Sequence, residues 1–156
     1  MIHIRIIAIG KLKESFWKDT EAEYLKRLRP YAKIDIIEVK EEAFREHDKK
    51  ETIKEKEAQL LTQYISAADM VVALHETGKE MTSIQFATWL DNETNTGKKI
   101  TFIIGGPLGL DPGLLETIPM QLSLSQYTFP HQMVRTILLE QLYRAITISM
   151  GKQYHY

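Results

Sequence analysis

Hydrophobic positions along the chain alternate between two periods. Ile2-His3-Ile4-Arg5-Ile6-Ile7-Ala8-Ile9 is rich in β-branched residues and stops at Gly10, which predicts a strand. Phe16, Trp17, Tyr24, Leu25 and Leu28 then recur at helical spacing until Pro30, predicting a first helix. Ile34 to Val39 reads as a second strand, and the polar run Lys40 to Lys50 as a connection. Glu51 to Ile65 predicts a helix with Ala58, Leu61 and Ile65 on one face and Lys54 to Glu57 on a solvated one. Met70 to Leu74 is a continuous apolar strand, with a turn expected over Glu76-Thr77-Gly78-Lys79. Thr82 and Gln85 form a capping-box signature that opens a helix through Phe86, Trp89 and Leu90, ended by the loop Asn92 to Gly97.

Ile100 to Ile104 is the fourth predicted strand and runs into Gly105-Gly106-Pro107-Leu108-Gly109. Asp111-Pro112 supplies an N-cap and a first-turn proline for a short helix. Met120 to Ser125 alternates as a fifth strand. A long helix follows from about Gln132 to Met150, stopped by Gly151. Strands alternating with helices predict an α/β fold with a mainly parallel sheet and helices on both faces. No repeat or linker divides the sequence, so one domain over residues 1–156 is expected. Val134, Ile137, Leu138, Leu142, Ile146 and Ile148 cover more of the last helix than one stripe, which predicts burial by the sheet and by a second subunit in a homodimer.

Composition narrows the chemistry. The 156 residues contain no cysteine, which excludes disulfide frameworks, zinc–thiolate and iron–sulfur sites, and thiol nucleophiles. The opening residues lack the basic flank and long apolar run of an export signal, and no stretch is long enough to span a bilayer, so a cytoplasmic protein with no membrane partner is expected. Twenty basic against 21 acidic side chains give a net charge of −1, which argues against a partner held by bulk positive charge. The charge is nevertheless sorted. Residues 1–33 carry eight basic and four acidic groups and residues 117–156 three and one, leaving the acidic excess in the middle.

In an open parallel sheet, ligands bind beyond the carboxyl ends of the strands. Three segments end there: Leu74 to Gly78, Gly105 to Gly109, and Leu124 to His131. The glycine loop has neither the Gly-Lys-Ser/Thr of a triphosphate cradle nor a GxGxxG fingerprint, and a tight turn feeding a helix would explain it alone. Leu124, Tyr127 and Phe129 alternate with polar Ser125, Gln126 and Thr128. Such a loop suits the wall of a flat aromatic ligand whose edge is read by backbone groups, or a strand end with two buried aromatics. His131 opens the last helix, Glu140 and Arg144 form an i,i+4 pair on it, and Tyr154-His155-Tyr156 places two aromatics and an imidazole at the end of the chain.

Together these pieces resemble the small SPOUT-class α/β-knot methyltransferases of the RlmH type, which methylate N3 of a pseudouridine in bacterial 23S ribosomal RNA. The resemblance covers the whole chain. It is carried by Ala8 to Lys13, Leu74 with Gly78-Lys79, Ile104 to Leu110, Leu122 to Ser125 with Thr128 to His131, Val134-Arg135, Glu140 to Ala145, and Tyr154-His155. The departure is Tyr156, where members often have Arg or Lys, a change that would weaken a phosphate contact.

The resemblance implies a trefoil-knotted C-terminal half, a homodimer, and S-adenosylmethionine as donor with no metal. Leu74, Gly105, Leu124, Ser125, Gln126, Tyr127, Thr128 and Phe129 are then expected to line the donor pocket. A sulfonium methyl is already electrophilic, so catalysis reduces to aligning the imide nitrogen and easing loss of its proton. His131 and His155 are the imidazole candidates for handling that proton, and Glu140 is a base or orients Arg144. Arg144 would stabilise charge on the flanking carbonyls, while Tyr154 stacks on the base. The rivals are a SPOUT enzyme acting on tRNA or another rRNA site, and a non-enzymatic flavodoxin-like or ribosome-associated binding module. The low net charge favours a shaped target, the large subunit or whole ribosome, over naked RNA.

Overall fold

A computed structural model describes residues 1–156, along which five strands and five helices alternate. In chain order they are β1 (Ile2–Ile9), α1 (Ser15–Leu28), β2 (Ala32–Val39), α2 (Lys50–Thr62), β3 (Met70–Glu80), α3 (Ser83–Asn95), β4 (Ile100–Ile104), α4 (Pro112–Thr117), β5 (Met120–Ser123) and α5 (His131–Ser149). The strands form one all-parallel sheet in the order β2-β1-β4-β3-β5. Successive side chains leave a strand on opposite faces. Ile4, Ile6 and Ala8 of β1 therefore join a core with α1, α3 and α5, while Ile7 and Ile9 join a second core with α2 and α4. A parallel sheet covered on both faces needs apolar residues at every position of its inner strands, and all five residues of β4 are indeed buried.

This arrangement creates the crevice. β1 and β4 are neighbours, yet β1 leads into α1 on one face and β4 into α4 on the other. Their connections part at the carboxyl edge of the sheet, where such folds bind ligands. Thr82 caps α3 reciprocally with Gln85, and Asp111 caps α4 at Leu114 N–H, as their sequence signatures predict.

Two elements differ from the pattern. The turn expected at Glu76 to Lys79 is a bulge inside a longer β3: Leu74 and Lys79 both stand opposite Leu122, and Glu80 opposite Ser123. A Cβ on Gly78 would lie 2.7 Å from the carbonyl carbon of Gln121, so only glycine lets the chain return to β5 at this point. The apolar breadth of α5 also has a source inside the chain. The helix packs on the sheet between α1 and α3, and none of its residues from His131 to Ile148 is fully exposed. The apolar side chains this layer leaves in solvent are on its rim, Phe16 (58%), Ile84 (57%) and Met150 (53%). No helix is long and apolar enough to cross a membrane.

Candidate active site

A cleft of about 290 Å³ opens at the carboxyl edge of the sheet. Leu74 lines it from β3 and Gly105 from the loop after β4. Leu124, Ser125, Tyr127, Thr128 and Phe129 line it from the segment after β5. Gln126 alone of the expected wall faces elsewhere, into a hollow shared with Glu80 and Met81. The wall is shaped locally: Ser123 Oγ donates to Ser125 O at 3.0 Å, and Tyr127 N–H to Ser125 Oγ at 3.0 Å, which turns the chain across the crevice. Opposite it, a Cβ on Gly105 would sit 3.0 Å from the carbonyl carbon of Gly109 and 3.1 Å from Leu110 N. Backbone rather than side chain therefore faces the cleft at Gly105. His131 completes the lining at the start of α5.

Further residues line the cleft beyond those that the resemblance assigned to the donor pocket, Ile104, Leu110 and Val134 among them. Lys54, expected on the solvated face of α2, is half-buried there, and His75 and Glu76 enter from the β3 bulge. The bulge has no local signature beyond Gly78, because its shape is set by contact with β5.

The start of α5 is fixed by side chains from across the molecule. Arg135 is almost fully enclosed, its guanidinium pairing with Glu21 of α1 at 3.1 Å and Glu38 of β2 at 3.3 Å. It also donates to Gly10 O at 3.3 Å, while Gln132 Oε1 accepts Lys13 N–H at 2.8 Å. Burial raises the Glu21 carboxyl above its ordinary value, against the opposing pull of Arg135. Glu57 of α2 lies beneath the glycine loop, its Oε2 3.4 Å from where a Gly106 Cβ would be. Burial raises this carboxyl too, against the Glu42 N–H that it accepts at 3.2 Å.

The remaining expected residues form a second group, at the other end of α5. Arg144 Nη2 donates to Glu140 Oε1 at 2.6 Å and Nε to the same oxygen at 3.0 Å, which holds the guanidinium charged. Its guanidinium lies 4.8 Å from the ring centre of Tyr154, whose hydroxyl donates to Glu140 at 3.3 Å. His155 Nδ1 stands 3.4 Å from Arg144 Nη1, and Tyr143 meets Tyr154 edge-on. Burial raises the Tyr24 hydroxyl beside them, and the charge of Tyr154 adds to that. His131 is not part of this group. Nine residues of helix separate it from Glu140, about 14 Å and two and a half turns, so the two project from opposite sides of α5. The structure thus joins His131 to the cleft and joins Glu140, Arg144, Tyr154 and His155 to each other, but does not bring the two sets together in one chain.

Comparison with known proteins places this geometry. A family model described as a predicted SPOUT methyltransferase matches residues 2–155. Proteins named ribosomal RNA large subunit methyltransferase H are similar along their full length. The one from Pelotomaculum thermopropionicum is 44% identical with 100% of both chains covered. Those from Carboxydothermus hydrogenoformans and Lactiplantibacillus plantarum are each 42% identical with 99% of both chains covered. Among solved structures, a probable methylase family protein from Haemophilus influenzae superposes with a TM-score of 0.58 at 14% identity, over 98% of this chain and 70% of that one. A probable methyltransferase from Bordetella pertussis gives 0.57 at 11%, over 93% and 96%. These two likenesses concern the fold, whereas the family match and the full-length relatives concern descent: the chain belongs to the SPOUT methyltransferases.

Proposed function

We propose that this methyltransferase moves a methyl group from S-adenosylmethionine to N3 of a pseudouridine in 23S ribosomal RNA, on the assembled ribosome in the cytoplasm, as a homodimeric single-domain enzyme with the trefoil knot of its family. The observation that carries the reading is the one cleft in which Leu74, Gly105 and the 124–129 wall meet, with His131 at its edge. Its size is near the lower end of the roughly 300–1,000 Å³ usual for small-molecule sites, so the donor would protrude toward an acceptor. The donor fits the residues present. Leu74, Leu124 and Phe129 offer apolar surface for a purine, the bare backbone at Gly105 allows close approach, and Lys54 and Glu76 supply one charge of each sign for a zwitterionic tail. Bound there, it would supply a methyl carbon activated by its sulfonium.

The chain's own work is alignment and proton handling. His131 accepts the N3 proton as the new bond forms. Arg144, held by Glu140, faces the carbonyl oxygens on which negative charge grows, and Tyr154 stacks on the base. His155 extends this surface. Because His131 and the Glu140–Arg144 pair leave α5 on opposite sides, both reach one acceptor only if two chains contribute, one through its cleft and the other through the end of its α5. This is the physical reason for proposing a homodimer. The basic residues of the two chain ends would then gather round the acceptor, compatible with a net charge of −1.

Methyl transfer to free 23S RNA, tRNA, large subunits and whole ribosomes, followed by mapping of the modified base, tests the proposal. Turnover on ribosomes at a pseudouridine N3, with little on naked RNA, is expected. Transfer to tRNA would move the enzyme to a different substrate. Absence of donor binding by calorimetry at sub-millimolar concentration would end the enzymatic reading of this cleft.

A further inference from the structure

His131 has an enclosed nitrogen with nothing to bond. Its Nε2 is buried and lacks a hydrogen-bond partner, although a neutral imidazole must use each nitrogen as a donor or an acceptor. This atom lies over Gly10. The point that a Cβ on Gly10 would occupy is 3.4 Å from Nε2 of His131 and 3.0 Å from Oε2 of Glu41. A carboxylate and an imidazole thus flank a bare Cα, and the missing side chain is what lets them approach. Gly10 itself is held firmly. Its φ is +86°, its N–H donates to Val39 O at 2.8 Å, and its carbonyl accepts from Arg135. Glu41 comes from the polar connection between β2 and α2, a half-buried residue with a flexible side chain.

The other charges nearby are already engaged. Arg135 of α5 is paired with Glu21 of α1 and Glu38 of β2, and Glu57 of α2 accepts the Glu42 N–H. Across the cleft stand Lys54, His75 and Glu76. Glu41 Oε2 is the nearest atom to the Gly10 Cβ position, so it is the carboxylate placed to serve the ring.

We propose that Glu41 is a positioning residue for His131. Its carboxylate accepts the Nε2–H of the imidazole, which fixes the proton on that nitrogen and leaves Nδ1 bare toward the cleft. As the bond from N3 to the methyl carbon forms, the electron pair of the breaking methyl–sulfur bond stays on sulfur. The N3 proton passes to Nδ1, and Glu41 offsets the charge of the resulting imidazolium. This inference rests on the role proposed above for His131.

The test combines side-chain ¹⁵N spectra of the histidines in the full-length protein with methyl transfer to ribosomes across pH. The parent is expected to hold His131 in the Nε2–H form. Glu41→Met removes the acceptor, so it should mix the tautomers and lower kcat about tenfold or more with donor KM unchanged, an effect of the size seen for carboxylates behind functional imidazoles. Glu41→Gln keeps an acceptor oxygen without the charge, so it should retain the tautomer, lose less activity, and move the acid-side midpoint of the rate profile downward, because the protonated ring loses its counter-charge. An Nδ1–H tautomer in the parent overturns the proposal without any variant. Parental turnover by Glu41→Met beside an inactive His131→Ala overturns it and leaves the role of His131 standing. Parental turnover by His131→Ala overturns that role itself.

Discussion

At its start α5 is held by side-chain contacts to residues 97 to 125 positions away in sequence: Glu38, Glu21 and Gly10, all through Arg135. Toward its end the partners are 4, 11 and 14 positions apart, the Glu140–Arg144 pair with His155 and Tyr154. The first end exists only once β1, β2 and α1 are in place, so it is as rigid as the whole fold, and the cleft is built on it. The second end closes its Glu140–Arg144 pair within one helical turn and adds the last residues of the chain, with Tyr24 of α1 beside it and Ser83 of α3 bonded to the neighbouring Gln141. It sits at the margin of the helical layer, where Met150 is exposed, and is suited to meet something outside its own chain. A site assembled from both ends combines a preformed pocket with a presented arm.

The division of labour between these ends is broken most directly by separating them. His131→Ala and Arg144→Ala should each lower methyl transfer by about 100-fold or more. If the two residues serve one acceptor from different chains, a co-expressed mixture of the two variants contains dimers with one intact site. Random pairing should then restore roughly a quarter of the parental rate. Donor affinity, measured by calorimetry, should fall little in Arg144→Ala, because Arg144 is outside the cleft lining. A mixture no more active than either variant alone would mean that the residues do not meet across subunits.

The same contrast explains what could be read from the chain. The Glu140–Arg144 pair and the Thr82–Gln85 and Asp111 caps depend on spacings of three or four residues, which sequence displays directly. The expected donor wall also emerged nearly whole in one cleft, because its residues follow strand ends whose hydrophobic runs are plain and whose parallel order places those ends along one edge. The β3 bulge was illegible: Glu76-Thr77-Gly78-Lys79 has turn composition, and only the backbone of Gln121, against which Gly78 packs, converts it to a bulge. Arg135 shows the same limit. Its charge in an apolar helix gives no hint of Glu21 or Glu38, and its burial is a property of three other elements. The breadth of apolar residues on α5 was visible, but α1 and α3 cover part of it beside the sheet, which the expectation of the sheet and a second subunit did not include.

Loss of the long-range anchor should cost stability where loss of the local pair does not. Arg135→Ala strands two carboxylates against the core, Glu21 with 18% and Glu38 with 36% of its side chain exposed. Breaking a buried pair typically costs about 3–5 kcal/mol, and the partial solvation of Glu38 places this variant at or below the low end of that range. Arg144→Ala breaks an i,i+4 pair that is better solvated and should lose about 1 kcal/mol or less. Urea unfolding of the two variants measures the difference. Equal midpoints would contradict the assignment of Arg135 as the anchor of the cleft end.

The smallest effect is a difference in pH response between Glu57→Gln and the parent. Burial under Gly106 raises the Glu57 carboxyl above its unfolded value of 4.5, so the folded state binds this proton more tightly than the unfolded chain does. Stability from this group is complete below pH 4.5 and is lost as pH rises through the raised folded value. Glutamine retains an oxygen to accept the Glu42 N–H but cannot ionise. The variant should therefore gain in melting temperature relative to the parent as pH rises through that window, with the gap levelling off once Glu57 is fully ionised. Glu21, also raised by burial, pulls in the same direction in both proteins. The decisive quantity is accordingly the difference between the two melting curves, and a constant difference across the window would show that the carboxylate under the glycine loop is not held at the cost of its charge.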